Sequence, residues 1–165
     1  SLSGHLFATP TSKTTTREET SNQVMSSTVV LEDPVILFDG VCNFCNAWVD
    51  ILLRIDVNSK FKFAPLQSDL GKKLLLAIGK EADDISSVVL VEPDFTFYDK
   101  SACVLQVVSE LGPLAKLTSN SLRNLVPEGF RDSIYDTVAE NRYNLLGKRD
   151  ECRCGDPQYT DRFLS

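Results

Sequence analysis

Val35-Ile36-Leu37-Phe38-Asp39-Gly40-Val41-Cys42-Asn43-Phe44-Cys45 is the stretch on which the fold turns. Four consecutive apolar residues after Pro34, ending at Asp39-Gly40, describe a strand running into a turn, and their unbroken apolarity places that strand at the centre of a sheet. Phe44, Trp48, Ile51, Leu52 and Ile55 then recur at helical spacing, which predicts a helix of about 12–15 residues starting near Asn43 with this face on the strand. Cys42 and Cys45 therefore fall at a strand-to-helix junction.

Working outward, residues 61–64 alternate as a strand stopped by Pro65. Residues 69–78 follow as a helix, with Leu70, Leu74 and Ile78 on one face and Gly79 at its end. Residues 87–91 and 95–98 flank the turn Glu92-Pro93-Asp94 as an antiparallel hairpin, and residues 101–111 form a helix ended by Gly112-Pro113. The order β-α-β-α-β-β-α is that of an α/β, thioredoxin-like fold, with helices on both faces of a mixed sheet. Two additional C-terminal helices are expected over 114–126 and 130–144, the second packing through Phe130, Ile134 and Val138. These assignments give a domain over residues 32–152, a disordered leader over 1–31 and a polar tail over 153–165.

Composition narrows the chemistry. With 17 basic and 23 acidic residues the 165-residue chain carries a formal charge of -6, which argues against nonspecific nucleic-acid or membrane-surface binding. No apolar run approaches the roughly 18–20 residues that cross a bilayer. The single histidine, His5, lies in the leader, so Cys-His and Ser-His catalysis and His-rich metal sites have no imidazole in the domain. Five cysteines are too few and too unevenly placed for a disulfide scaffold. The first 28 residues are about half Ser or Thr, and acids are absent before Glu18. That is the composition of an organellar transit peptide, with a chloroplast as the expected destination and a mitochondrion as the alternative, or else of a flexible extension.

The cysteine pair carries the functional reading. A helix start leaves backbone N–H groups unpaired and carries partial positive charge, so a sulfur placed there is favoured as thiolate. Cys42 has that position and is expected to be the nucleophile. Cys45, one turn on, is expected to be the resolving thiol, attacking Cys42 to release a mixed disulfide. Asp39 has two available roles: holding the turn by accepting N–H bonds, or accepting the Cys45 proton, which places it in the candidate catalytic set. No Lys or Arg lies between Asp39 and Asp50 to offset its charge, so modest activation is expected. Two other readings of the pair remain: a zinc site completed by Cys152 and Cys154, making a noncatalytic interaction module, or two merely buried thiols. Cys103 reads as a small buried hydrophobe. Arg142 and Tyr143 read as ion-pairing or helix-capping residues, near the dithiol only if the last helix folds over it.

The string Asp39-Gly40-Val41-Cys42-Asn43-Phe44-Cys45 after a hydrophobic strand resembles the D-G-x-C-x-x-C signature of the DCC family of predicted thiol-disulfide oxidoreductases. Ser101-Ala102 at a helix start, and Asn141, Arg142, Tyr143, Gly147 and Cys152 later, are similar to further family features. With the Ser/Thr-rich leader, the chain resembles a plant plastid member. The dithiol's position gives the leading reading, an enzyme exchanging disulfides with protein or small-molecule thiols and disulfides, with no bound organic cofactor or metal and no nucleic-acid or membrane partner; the resemblance supports that chemistry without identifying a substrate. Better-known thioredoxin-fold enzymes place a cis-proline before the third strand to bind substrate backbone. Ser86-Ser87 stand in that region here, so the usual substrate groove is not implied.

Overall fold

A computed structural model of the chain describes residues 29–153 and 155–164. Its elements in chain order are β1 (Val35–Phe38), α1 (Asn43–Ile55), β2 (Lys62–Pro65), α2 (Asp69–Ala77), β3 (Val89–Val91), β4 (Phe97–Asp99), α3 (Lys100–Glu110), α4 (Pro113–Leu125), α5 (Glu128–Leu146) and a 3-10 turn at Pro157–Tyr159. The sheet order is β2-β1-β3-β4, with β1 parallel to β2, and with β3 antiparallel to both β1 and β4. This is a thioredoxin-like α/β fold. Residues 1–28 of the leader expected over 1–31 lie outside the described residues. Val29 and Leu31, placed in that leader by the sequence, already pack on the sheet domain.

Because β1 is central, alternate residues serve opposite faces. Ile36 and Phe38 join Val49, Leu52 and Leu53 of α1 and Cys103 and Val107 of α3 in one core layer. Val35 and Leu37 meet Leu74 and Leu75 of α2 in the other. Cys103 is buried in the first layer, as a small hydrophobe would be, and that burial pushes its thiol pKa up. The α2 start is capped by Ser68, whose hydroxyl accepts from Gly71 N–H at 3.0 Å, and Gly79 closes its end at φ 78°. The hairpin loop is longer than expected: Phe95 sits in the turn at φ 63°, so β4 begins only at Phe97.

Three expectations need correction. Phe44, Ile51 and Ile55 of α1 are exposed, and the helix turns in Asn46, Val49, Leu52 and Leu53 instead. The rotation places Asn46, a polar residue, where it bonds the turn below the strand. In α5, Phe130 and Ile134 are exposed, while Tyr135, Val138, Ala139 and Arg142 face α1 and the segment before β3. The segment expected as a polar tail is part of the fold. Phe163 packs edge-on to Phe38 and against Phe63, and the backbone at 162–164 pairs with Phe63 on the outer side of β2. Arg162 anchors it from a buried position, bonded to Asp56 at 2.6 Å and to Phe61 O at 2.8 Å.

Candidate functional site

The chain leaves β1 at Phe38, turns through Asp39, Gly40 and Val41, and enters α1 with Cys42 as its N-cap. Cys42 has extended backbone angles (φ -84°, ψ 118°), and its Sγ accepts the Cys45 N–H at 3.4 Å, the bond an N-cap side chain makes. The Cys45 side chain lies beside Cys42, close enough for that sulfur to help raise its pKa, in the register that three-residue spacing on a helix start dictates. Asn46 locks the turn from inside, donating to Gly40 O at 3.0 Å and Cys42 O at 2.8 Å. The Cys45 pKa is raised, first by burial, then by its bond to Cys42 and the nearby charges of Cys42 and Asp39, with Arg142 opposing.

Asp39 is buried and engaged at both oxygens. Oδ1 accepts from Val41 N–H at 3.2 Å and from Gln67 Nε2 at 2.7 Å. Oδ2 accepts from Tyr143 OH and from Arg142 Nη2 at 3.4 Å. The positive charge missing between Asp39 and Asp50 thus arrives from α5, about a hundred residues later. Arg142 and Tyr143 form the ion pair and hydrogen bond the sequence allowed them, and they do so at the dithiol. With four donors on its carboxylate, Asp39 is placed to hold the turn, and it would have to release one of them to accept a proton from Cys45.

The chain after α5 roofs this loop. Gly147 lets the helix end at φ 79°, and its carbonyl accepts from Asn43 N–H at 3.3 Å. Lys148 bridges antiparallel to Cys42, Arg149 N–H donates to Val41 O at 2.7 Å, and Arg153 N–H to Gly40 O at 3.0 Å. Gly40 is required there, because a Cβ on it would lie 2.4 Å from Cys152 Sγ. As a result Cys42 is 0 % exposed, whereas Cys45 is partly exposed. Cys42, expected as the nucleophile, is thus the covered sulfur, and Cys45, expected as the resolving thiol, is the more accessible one.

Beside Cys45 lies a pocket with about 350 Å³ of empty space, counting its mouth, walled by Phe44, Ile85, Val88, Val138 and Ala139 with Arg142 at one side. Tyr135 OH accepts the Val88 N–H at 2.9 Å, and Arg142 donates to Ile85 O at 3.0 Å and more weakly to Ser86 O at 3.5 Å. Two buried side-chain atoms have no hydrogen-bond partner among the described residues: Arg142 Nε and Asn46 Oδ1, both at this site. The sequence reading missed Asn46, Gln67 and Tyr135. Tyr135 was detectable, since 135, 138, 139 and 142 repeat at helical spacing as well as Phe130 and Ile134 do. Cys154, the fourth ligand of the zinc reading, lies outside the described residues, and among those described no three Cys, His, Asp or Glu side chains gather as a metal site.

Comparison with known proteins agrees with this geometry. The family model of DCC1-like thiol-disulfide oxidoreductase matches residues 36–148. The chain is 45% identical over 120 residues to the DCC family protein At1g52590, chloroplastic, of Arabidopsis thaliana, covering 72% of this chain and 68% of that protein. It is 38% identical over 131 residues to the uncharacterized protein YuxK of Bacillus subtilis (strain 168), covering 79% of this chain and 93% of that one. No solved structure matches it. With the family model spanning the strand, the cysteine pair, the sheet and α5, the chain belongs to the DCC1-like thiol-disulfide oxidoreductase family.

Proposed function

We propose that the protein catalyses thiol-disulfide exchange through Cys42 and Cys45. The observation that carries the reading is the N-cap arrangement: Cys42 Sγ receives the Cys45 N–H while the Cys45 side chain lies beside it, so one sulfur is suited to bear negative charge and the other to form a disulfide with it. In the reducing direction the dithiol gives two electrons to a substrate disulfide. The Cys42–Cys45 bond forms, the substrate S–S bond breaks, and the two thiol protons end on the two product thiols. An external thiol then restores the pair. Asp39 serves as a positioning residue that pins the turn to Gln67, Arg142 and Tyr143, and the partners are thiols and disulfides. A chloroplast is the proposed compartment, supported by the leader's composition and by the chloroplastic Arabidopsis relative.

Redox titration with mass-spectrometric mapping tests this. The expected result is a Cys42–Cys45 disulfide forming in one two-electron step, with turnover of a model disulfide lost in both Cys42→Ser and Cys45→Ser. Oxidation that leaves this pair unlinked, with turnover intact in both variants, refutes it.

A further inference from the structure

Which sulfur meets the substrate is decided by access, and access here is one-sided. The roof formed by residues 147–149 closes over Cys42, while Cys45 opens on the apolar pocket. The same pocket restricts what can enter. A polypeptide that docks by strand-like pairing needs free backbone groups beside the dithiol. The extended segment at that position, 85–88, has several of its own engaged: Val88 N–H on Tyr135, Ser86 N–H on Asp84, and the carbonyls of Ile85 and Ser86 on Arg142. β3 offers no free edge, being paired with β1 and β4 on its two sides. What remains is a shallow recess whose enclosed space, about 50 Å³, falls well below the roughly 300–1,000 Å³ that engulfs a whole small ligand, so it receives only the reacting end of one. Its walls are mostly aliphatic and aromatic, and the Arg142 beside it keeps a buried donor, Nε, without a partner among the described residues. A buried donor left unpaired costs free energy that a ligand acceptor would recover.

Resting on the redox-pair reading above, we propose that the substrate is a low-molecular-weight thiol or disulfide with an apolar body and an anionic or carbonyl acceptor, and that the mixed disulfide forms on Cys45. In the reducing direction Cys45 Sγ attacks one substrate sulfur while the adjacent Cys42 thiolate takes the Cys45 proton. The substrate S–S bond breaks, one product leaves as thiolate, and it takes up that proton as Cys42 is deprotonated again. Cys42 thiolate then attacks Cys45 Sγ, the mixed disulfide breaks, and the second product thiolate is protonated by solvent. In reverse, an incoming thiolate attacks Cys45 of the oxidised pair, and Cys42 leaves as the thiolate that the Cys45 N–H stabilises. A better-stabilised leaving thiolate departs faster. Cys42 is thereby the resolving and leaving sulfur, the reverse of the order its sequence position suggests.

The test uses dithiobis(nitrobenzoate) as the anionic aryl probe, cystamine as a cationic aliphatic probe and insulin as the polypeptide, each rate divided by that disulfide's rate with dithiothreitol. The aryl carboxylate should be favoured over both, and Ala139→Phe, which fills the pocket, should lower its kcat/KM about tenfold or more. Peptide mapping after one equivalent of probe should find the aryl adduct on Cys45 in the Cys42→Ser chain, and no adduct on Cys42 in the Cys45→Ser chain. An adduct on Cys42 with both variants inactive overturns this inference and leaves the redox pair standing, as does insulin matching the aryl probe after normalisation. Turnover surviving in both serine variants removes the redox-pair reading itself. The adduct mapping keeps the test decisive should Ala139→Phe fold poorly.

Discussion

Replacing Arg162 by Met should destabilise the domain far more than its place three residues before Ser165 suggests. Arg162 and Asp56 have side chains only 3% and 2% exposed and meet at 2.6 Å. Removing one partner of such a pair costs about 3–5 kcal/mol, because the other charge stays buried without its counter-charge. Two details of the site move the figure. Asp56 keeps the N–H groups of Lys60 and Phe61, at 3.2 and 3.1 Å, which holds the loss toward the lower end. Phe61 O loses its 2.8 Å donor, which adds about 1 kcal/mol or more for an unpaired carbonyl. The expected loss is therefore about 4 kcal/mol, read as a fall in the urea midpoint at unchanged m-value. Asp56→Asn should cost about 3 kcal/mol alone, and the double variant should fall short of the sum by about 2 kcal/mol. A single-variant loss below about 1 kcal/mol, or costs that add within about 0.5 kcal/mol, would refute the view that this pair fastens the C-terminal segment.

Three further outcomes are expected. Gly40→Ala should cost about 1–3 kcal/mol by overlap with Cys152 Sγ, and Cys152→Ala in the same chain should recover part of it, checked by thermal melting. Burial raises the pKa values of Cys45, Cys103 and Tyr135. The folded state therefore keeps these groups neutral after the unfolded chain begins to ionise. Their stabilising contribution is complete below the ordinary thiol pKa of 9.0 and declines as pH rises above it, so the urea midpoint should drop between neutral and strongly alkaline pH, with a shallower slope in Cys103→Ala. Tyr143→Phe removes one of the four donors on Asp39 and should lower stability by about 1–3 kcal/mol by urea unfolding.

The parts of this molecule that a reader of the sequence can see are those set by neighbours in the chain. The run at 35–38, the cap at Cys42 and the limits of α1 follow from local periodicity and turn chemistry, and the sheet order follows from the sequence of elements. What stayed hidden depends on distant residues. Apolar spacing put Phe44, Ile51 and Ile55 inside because it counts hydrophobicity and ignores backbone carbonyls. The protein spends that face on Asn46, whose amide holds Gly40 and Cys42. The exposure of the two sulfurs was equally unreadable at positions 42 and 45, since it is set by Lys148 and Arg149. Phe163 and Leu164 were a legible signal that went unused: two apolar residues in a polar segment, which pack against the core.

The backbone contact between Phe63 and residues 162–164 has a consequence for any shortened form of the chain. Cut away, those residues would leave the outermost strand with an open amide and carbonyl beside the uncovered ring of Phe63. Such a margin invites the same margin of another copy, and the product is self-association rather than a smaller soluble domain.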